Sequence, residues 1–129
     1  MNERIAYYVQ QLQSDDADNA YHSLLEIDDV LIPDLIRAYY NTGNMRVRVQ
    51  ILKIIGEHRR QHDIEFFVTA LGSNIEEIWK TALDGLVKIG TQQCIEVITD
   101  ERKQMWSRDR HAWYDEAINQ ILDRLSKDT

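Results

Sequence analysis

An apolar pattern recurs along this chain with a fixed period, the step that separates Arg48 from Trp79. Arg48 is followed by Ile51, Ile54, Ile55 and Gly56. One period forward stand Trp79, Ala82, Gly85 and Leu86, closed by Ile89-Gly90. One period back stand Ala17, Ala20, Ser23, Leu24 and Ile27. A further copy, Tyr114, Ala117, Gln120, Ile121 and Leu125, fits after a short insertion. The segments between them repeat too, since Leu35-Ile36, Phe66-Phe67 and Val97-Ile98 keep the same separation. A period of about 31 residues marks supersecondary units that cannot bury an apolar face alone and must stack on their neighbours.

The spacing inside each copy is helical. Val47, Ile51, Ile54 and Ile55 form one stripe; Ile78, Ala82, Leu86 and Ile89 form a second; Ala117, Ile121 and Leu125 form a third. Strand-like alternation around Asn-Gly or Asp-Gly turns is missing, and Asp84-Gly85 lies inside a helical stripe. Ser14-Asp15-Asp16 offers an N-cap with acidic residues behind it, and Pro33 suits the start of a helix. Thr42-Gly43-Asn44 and Gly72-Ser73-Asn74 each combine a glycine stop with a fresh cap. The expected helices are 2–13, 16–27, 30–41, 45–58, 62–72, 75–89, 92–104 and 110–126. Their short connections make consecutive helices antiparallel pairs, and the fold class is all-α.

The pattern resembles HEAT repeats, in particular the short bacterial type of phycobilisome-lyase-like proteins. The resemblance spans residues 16–126 and is carried by Leu31-Ile32-Pro33-Asp34-Leu35-Ile36, by Val47-Arg48, and by Leu86 to Ile89-Gly90. It implies one domain over 1–129: a short right-handed α-solenoid of about four HEAT-like helix pairs. Residues 1–13 would be the N-terminal cap helix and about 110–126 the C-terminal one. That family places Arg after Val at the second helix of a pair; here only Arg48 keeps it, with Trp79 and Tyr114 at the equivalent places. Aromatic packing is therefore expected where a polar ladder would run. In such repeats the second helices line a concave face that commonly binds partners.

Projected by register, that face holds Arg46, Gln50 and Lys53, then Glu77, Thr81 and Asp84 one repeat on, with Lys80 alongside. One repeat back it holds Asp15, Asn19 and His22, with Asp16 and Asp18 beside them, and the last repeat adds Asp115 and Glu116. Charge is uneven as well. Residues 1–43 carry eight acidic against two basic residues, and no Lys or Arg interrupts the seven acids between Asp15 and Ile36, which include Asp28 and Asp29. Such a surface either solubilises or steers a basic protein toward it. A formal net charge of −7 makes nucleic acid an unsuitable partner, because phosphate binding needs a basic footprint. No apolar run of membrane-spanning length and no signal-peptide core occurs, and the single Cys94 fits a reducing, cytoplasmic setting.

Trp79, Trp106, Trp113 and Tyr114 suit either inter-repeat packing, the commoner role, or an exposed anchor. Trp106 is the best anchor, because Gln104–Arg110 is the longest connection. In the pairs Tyr7-Tyr8 and Tyr39-Tyr40, one ring each should face solvent. His58 and His62 have ligand spacing, but a helix break at Arg59-Arg60-Gln61 separates them, so a polar turn is expected and no metal. Cys94 reads as a packed hydrophobe, and no phosphate loop, nucleophile elbow or dinucleotide fingerprint is present. The expectation is a non-catalytic, cofactor-free interaction module, monomeric or weakly self-associating, whose partner is a protein with a basic surface. The leading version is an acidic bacterial immunity-type inhibitor that occludes a toxin domain. A scaffold subunit and a bilin lyase-like protein are the alternatives.

Overall fold

A computed structural model describes residues 2–127, which form eight α-helices and no strand. The helices are α1 (Glu3–Gln11), α2 (Ala17–Leu25), α3 (Ile32–Asn41) and α4 (Met45–Glu57), then α5 (Ile64–Leu71), α6 (Glu76–Ile89), α7 (Gln92–Arg102) and α8 (Arg108–Lys127). They gather into two compact units that divide between His58 and Arg59. In the first unit α1 packs on α2 and α3, α3 on α4, and α2 on α4. In the second, α5 packs on α6 and α7, α7 on α8, and α6 on α8. Each unit is thus two helical hairpins side by side, first helices against first and second against second.

Two expected helices begin differently. Residues 29–31 and 61–63 are 3₁₀ turns that lead into α3 and α5. The turn before α3 closes the tighter bonds Leu31 N–H to Asp28 O and Ile32 N–H to Asp29 O, and Pro33, with no N–H to donate, fits the first turn of the helix that follows. The same 3₁₀ turn precedes α5 without a proline, with Asp63 N–H on Arg60 O. Ser14 does not cap α2. Its hydroxyl accepts the Asp16 N–H at 3.1 Å, which leaves Asp16 at the cap position, bonded to Asn19 at 2.7 Å. Ser73 does the same for Ile75, so α6 starts at Glu76. A hydroxyl two residues ahead offers the backbone a turn before helix can form. Asn44 is a cap as expected, accepting from Val47 N–H at 3.1 Å.

The first core is built by Ile5, Leu24, Ile32, Leu35, Ile51, Leu52, Ile54 and Ile55, and the second by Phe67, Leu71, Leu86, Cys94, Ile98, Tyr114 and Ile121, all buried. Each such side chain contributes about 1.5–3 kcal/mol on leaving water. One of each tyrosine pair faces out: Tyr7 and Tyr40 are exposed, Tyr39 is buried.

Neither Gly43 nor Gly72 takes up the left-handed conformation, and among described glycines only Gly90 does, at φ 69°. There α6 ends, with Gly90 N–H donating to Leu86 O. A Cβ on Gly90 would lie 2.5 Å from Nη2 of Arg124 and 3.1 Å from Val87 O. Gly90→Ala should therefore cost about 1–2 kcal/mol, read as a lowered urea midpoint. Gly90→Asn should recover part of that, because Asn tolerates the backbone but still displaces Arg124.

Candidate functional site

Two surfaces collect the residues singled out by sequence. On the first unit, Asp15 and Asp16 stand in the α1–α2 turn, Asp18, Asn19 and His22 on α2, and Asp28 and Asp29 at the turn before α3; all are exposed. Some also do structural work. Asp28 caps its turn by accepting the Val30 N–H at 3.0 Å. Asp29 holds Nδ1 of His58 at 2.8 Å, which ties the end of α4 to this edge. Asp34 pairs with Arg37. Among the described residues, Asp15, Asp16, Asp18, Glu26 and Asp28 have no Lys or Arg within ion-pair distance.

On α4, Arg46 and Lys53 are exposed, whereas Gln50 turns its amide oxygen into the protein, where it has no partner among the described residues. Arg46 lines a hollow with Ser14, Ala17 and Asn44. The break between His58 and His62 falls where expected: α4 stops at Glu57 and Arg59 takes φ 54°.

The second surface lies between α6 and α8. Trp79 is buried at 7% exposure and Trp113 is 48% exposed, their ring centroids 6.3 Å apart at 85°. The two indoles make a corner, and the ammonium of Lys80 lies in it, 4.1 Å from the Trp113 centroid and 5.8 Å from that of Trp79. Glu76 Oε1 completes the enclosure at 2.5 Å from Nζ. A surface groove of about 600 Å³ runs past these groups, bordered also by Asp109 and Arg110. A smaller hollow adjoins it, lined by Lys80, Asp84, Trp113 and Glu116. Asp84 pairs with Lys88 at 3.2 Å, and Asp115 takes both Nε and Nη2 of Arg102 at 2.6 and 3.1 Å. Glu77 is exposed on α6. Trp106, in the α7–α8 connection, is 97% exposed.

Behind the corner, Tyr114 is fully buried, 6.1 Å edge-on from Trp79. This is the aromatic packing expected at the places of Arg48. An arginine nevertheless reaches the equivalent turn. In the first unit Arg48 Nε donates to Thr42 O at 2.9 Å. One repeat on, Ser73 stands in the place of Thr42 and Trp79 in that of Arg48. Arg110 from α8 supplies the missing guanidinium: Nη2 donates to Leu71 O at 2.5 Å and Ser73 O at 3.3 Å, and Nε donates to Tyr114 Oη at 3.2 Å. Its Cζ lies 4.5 Å from the Trp79 ring. Burial pushes the Tyr114 phenol above its ordinary pKa, opposed by the hydrogen bond and charge of Arg110. Burial also raises Tyr39, opposed by Arg48. Glu101 is raised by burial first, with Arg110 pulling down and Asp100 pushing up.

Sequence reading placed Lys80 on this face without its indole partners and missed Glu76 and Arg110. The available signal was the spacing of four between Glu76 and Lys80 and between Arg110 and Tyr114, which puts each pair on one helix face. No family model matches the chain, and no curated protein matches it significantly.

Proposed function

We propose that the chain is a non-catalytic protein-interaction module built of HEAT-like helix pairs in a short right-handed α-solenoid, and that its partner is a protein with a basic surface. The repeated hairpin plan of the two units supports the repeat reading. The carrying observation for the partner is the set of five exposed carboxylates at the two ends of α2, Asp15, Asp16 and Asp18 at its start and Glu26 and Asp28 beyond its end, that no Lys or Arg of the described chain neutralises. Excess negative charge along this part of the chain attracts a partner's Lys and Arg and steers encounter. The specific version is an acidic inhibitor of immunity type, which covers a basic toxin domain and blocks it by occlusion in a cytoplasmic setting.

The test is capture from the native host with its neighbouring genes expressed, using the wild type and a variant with Asp15, Asp16, Asp18, Asp28 and Asp29 changed to Asn. A stoichiometric basic protein should be recovered by the wild type and lost from the variant. With the purified pair, affinity should fall at least tenfold between about 50 and 300 mM salt, about 1.4 kcal/mol, through loss of screened attraction. Recovery of a large assembly unchanged in the variant would make the chain a scaffold and the acidic edge a solubilising one.

A further inference from the structure

The α6–α8 corner is a cation-binding site already filled by the chain itself. Two indoles at right angles with a carboxylate at the third side are what an ammonium or guanidinium needs: ring faces of negative potential and a counter-charge in one small volume. Lys80 sits there, between Trp79, Trp113 and Glu76. Trp113 is half exposed, and the open groove reaches the same corner, so a second cation can approach it from solvent. The rim carries the exposed carboxylates of Asp84, Asp109 and Glu116, of which Asp84 is paired with Lys88, and Arg110 borders the same groove.

We infer that this corner receives an arginine or lysine side chain of the partner protein, which takes the place of Lys80 against Trp113. Lys80 has a long, flexible stem and a strongly hydrated head, so it can swing into water. While seated it keeps the ring face covered and lowers the apparent affinity for the incoming cation. The inference rests on the partner being basic, but on none of the carboxylates between Asp15 and Asp29. The two can therefore fail separately.

The probe is the single-cation peptide acetyl-Gly-Arg-Gly-amide, titrated into the full chain while the indole N–H signals of its three tryptophans are followed by NMR. The Trp113 and Trp79 signals should move and saturate, with Trp106 still. The uncharged citrulline analogue should move none of them. Lys80→Met should tighten binding about threefold by uncovering the ring face, whereas Lys127→Met, the same charge change at the far end of α8 and away from both hollows, should not. Trp113→Leu, at a half-exposed position, should abolish the response while the far-ultraviolet spectrum stays that of the wild type. Equal effects of the two lysine changes, a response to citrulline, or no movement at Trp113 would overturn the inference. Persistence of all these responses in the Asp→Asn variant of the acidic edge is expected, since that edge is a different surface.

Discussion

Replacing Gly85 by leucine should destabilise the second unit by about 3 kcal/mol or more, and by alanine by about 1–2 kcal/mol. Helix α6 meets α5 at this residue. A Cβ on Gly85 would lie 2.5, 2.8 and 2.9 Å from three atoms of the Phe67 ring. That ring is fully buried, as are Ile64 and Leu71 on the same helix, so it can shift only by disturbing the core. Overpacking a core costs about 1–3 kcal/mol, and three ring atoms inside 3 Å put this clash in the upper part of that range, so after the roughly 1 kcal/mol of helix propensity that alanine gains over glycine a loss of about 1–2 kcal/mol remains. Leucine adds more volume with no more room. The measurement is urea unfolding followed by near-ultraviolet circular dichroism, with Phe67→Leu as the partner change. If the clash is the cause, Gly85→Ala should cost much less in a Phe67→Leu background, giving a coupling of about 1 kcal/mol. An unchanged midpoint for Gly85→Ala would mean that α5 and α6 separate to admit a methyl group.

That same glycine shows how the sequence could be read and where reading stopped. The repeat period aligned Gly85 with Ser23 and Ile54, and the apolar stripes located all eight helices to within a turn, because periodicity reports which face is buried. Helix starts were less legible. Ser14 and Ser73 are good starting residues by type, yet each binds a backbone N–H before the helix, whereas Pro33 stands in the first turn of α3 as its type leads one to expect. Those choices are settled by local hydrogen bonds that composition does not order. The acidic edge was legible because exposed charge on polar helix faces needs no tertiary knowledge. The corner was not. Lys80 read as one more polar residue until α8 brought Trp113 over it, and Trp79 and Trp113 stand a whole repeat apart, beyond the reach of any local spacing rule. Trp106 is exposed, but its connection, 103–107, is no longer than 12–16 between α1 and α2, so loop length did not single it out; the burial of Trp79 and Tyr114 followed from register.

Arg110→Met should cost about 3 kcal/mol, and Arg110→Lys about half of that. The guanidinium reaches Leu71 O and Ser73 O across from α8, and it also serves the Tyr114 hydroxyl and lies over Trp79. Hydrogen bonds to a charged group are worth about 1.5–3 kcal/mol, and a buried polar group left behind adds its own desolvation cost. Methionine fills the space but orphans the carbonyls and the phenol together. Lysine restores a charge and one or two bonds without the planar fork that spans both helices. The two halves of this loss can be told apart. In an Arg110→Met background the phenol is already unpaired, so Tyr114→Phe should cost little or even stabilise, whereas in the wild type it should destabilise. The pH dependence carries the same signature. Because the folded Tyr114 pKa lies above its unfolded value of 10.0, its contribution is complete below that value and is lost as pH rises through the folded one. Removing Arg110 removes both influences of that residue that pull the phenol down, so the folded pKa climbs further and the alkaline loss extends over a wider range. Below about pH 10, where Tyr114 is neutral in both states, the stability gap between variant and wild type should owe nothing to its ionisation. Equal stability of Arg110→Met and wild type at neutral pH would mean that water satisfies Leu71 O and Ser73 O as well as Arg110 does, and that α8 is held on α6 by its buried side chains, Tyr114, Ala117 and Ile121, alone.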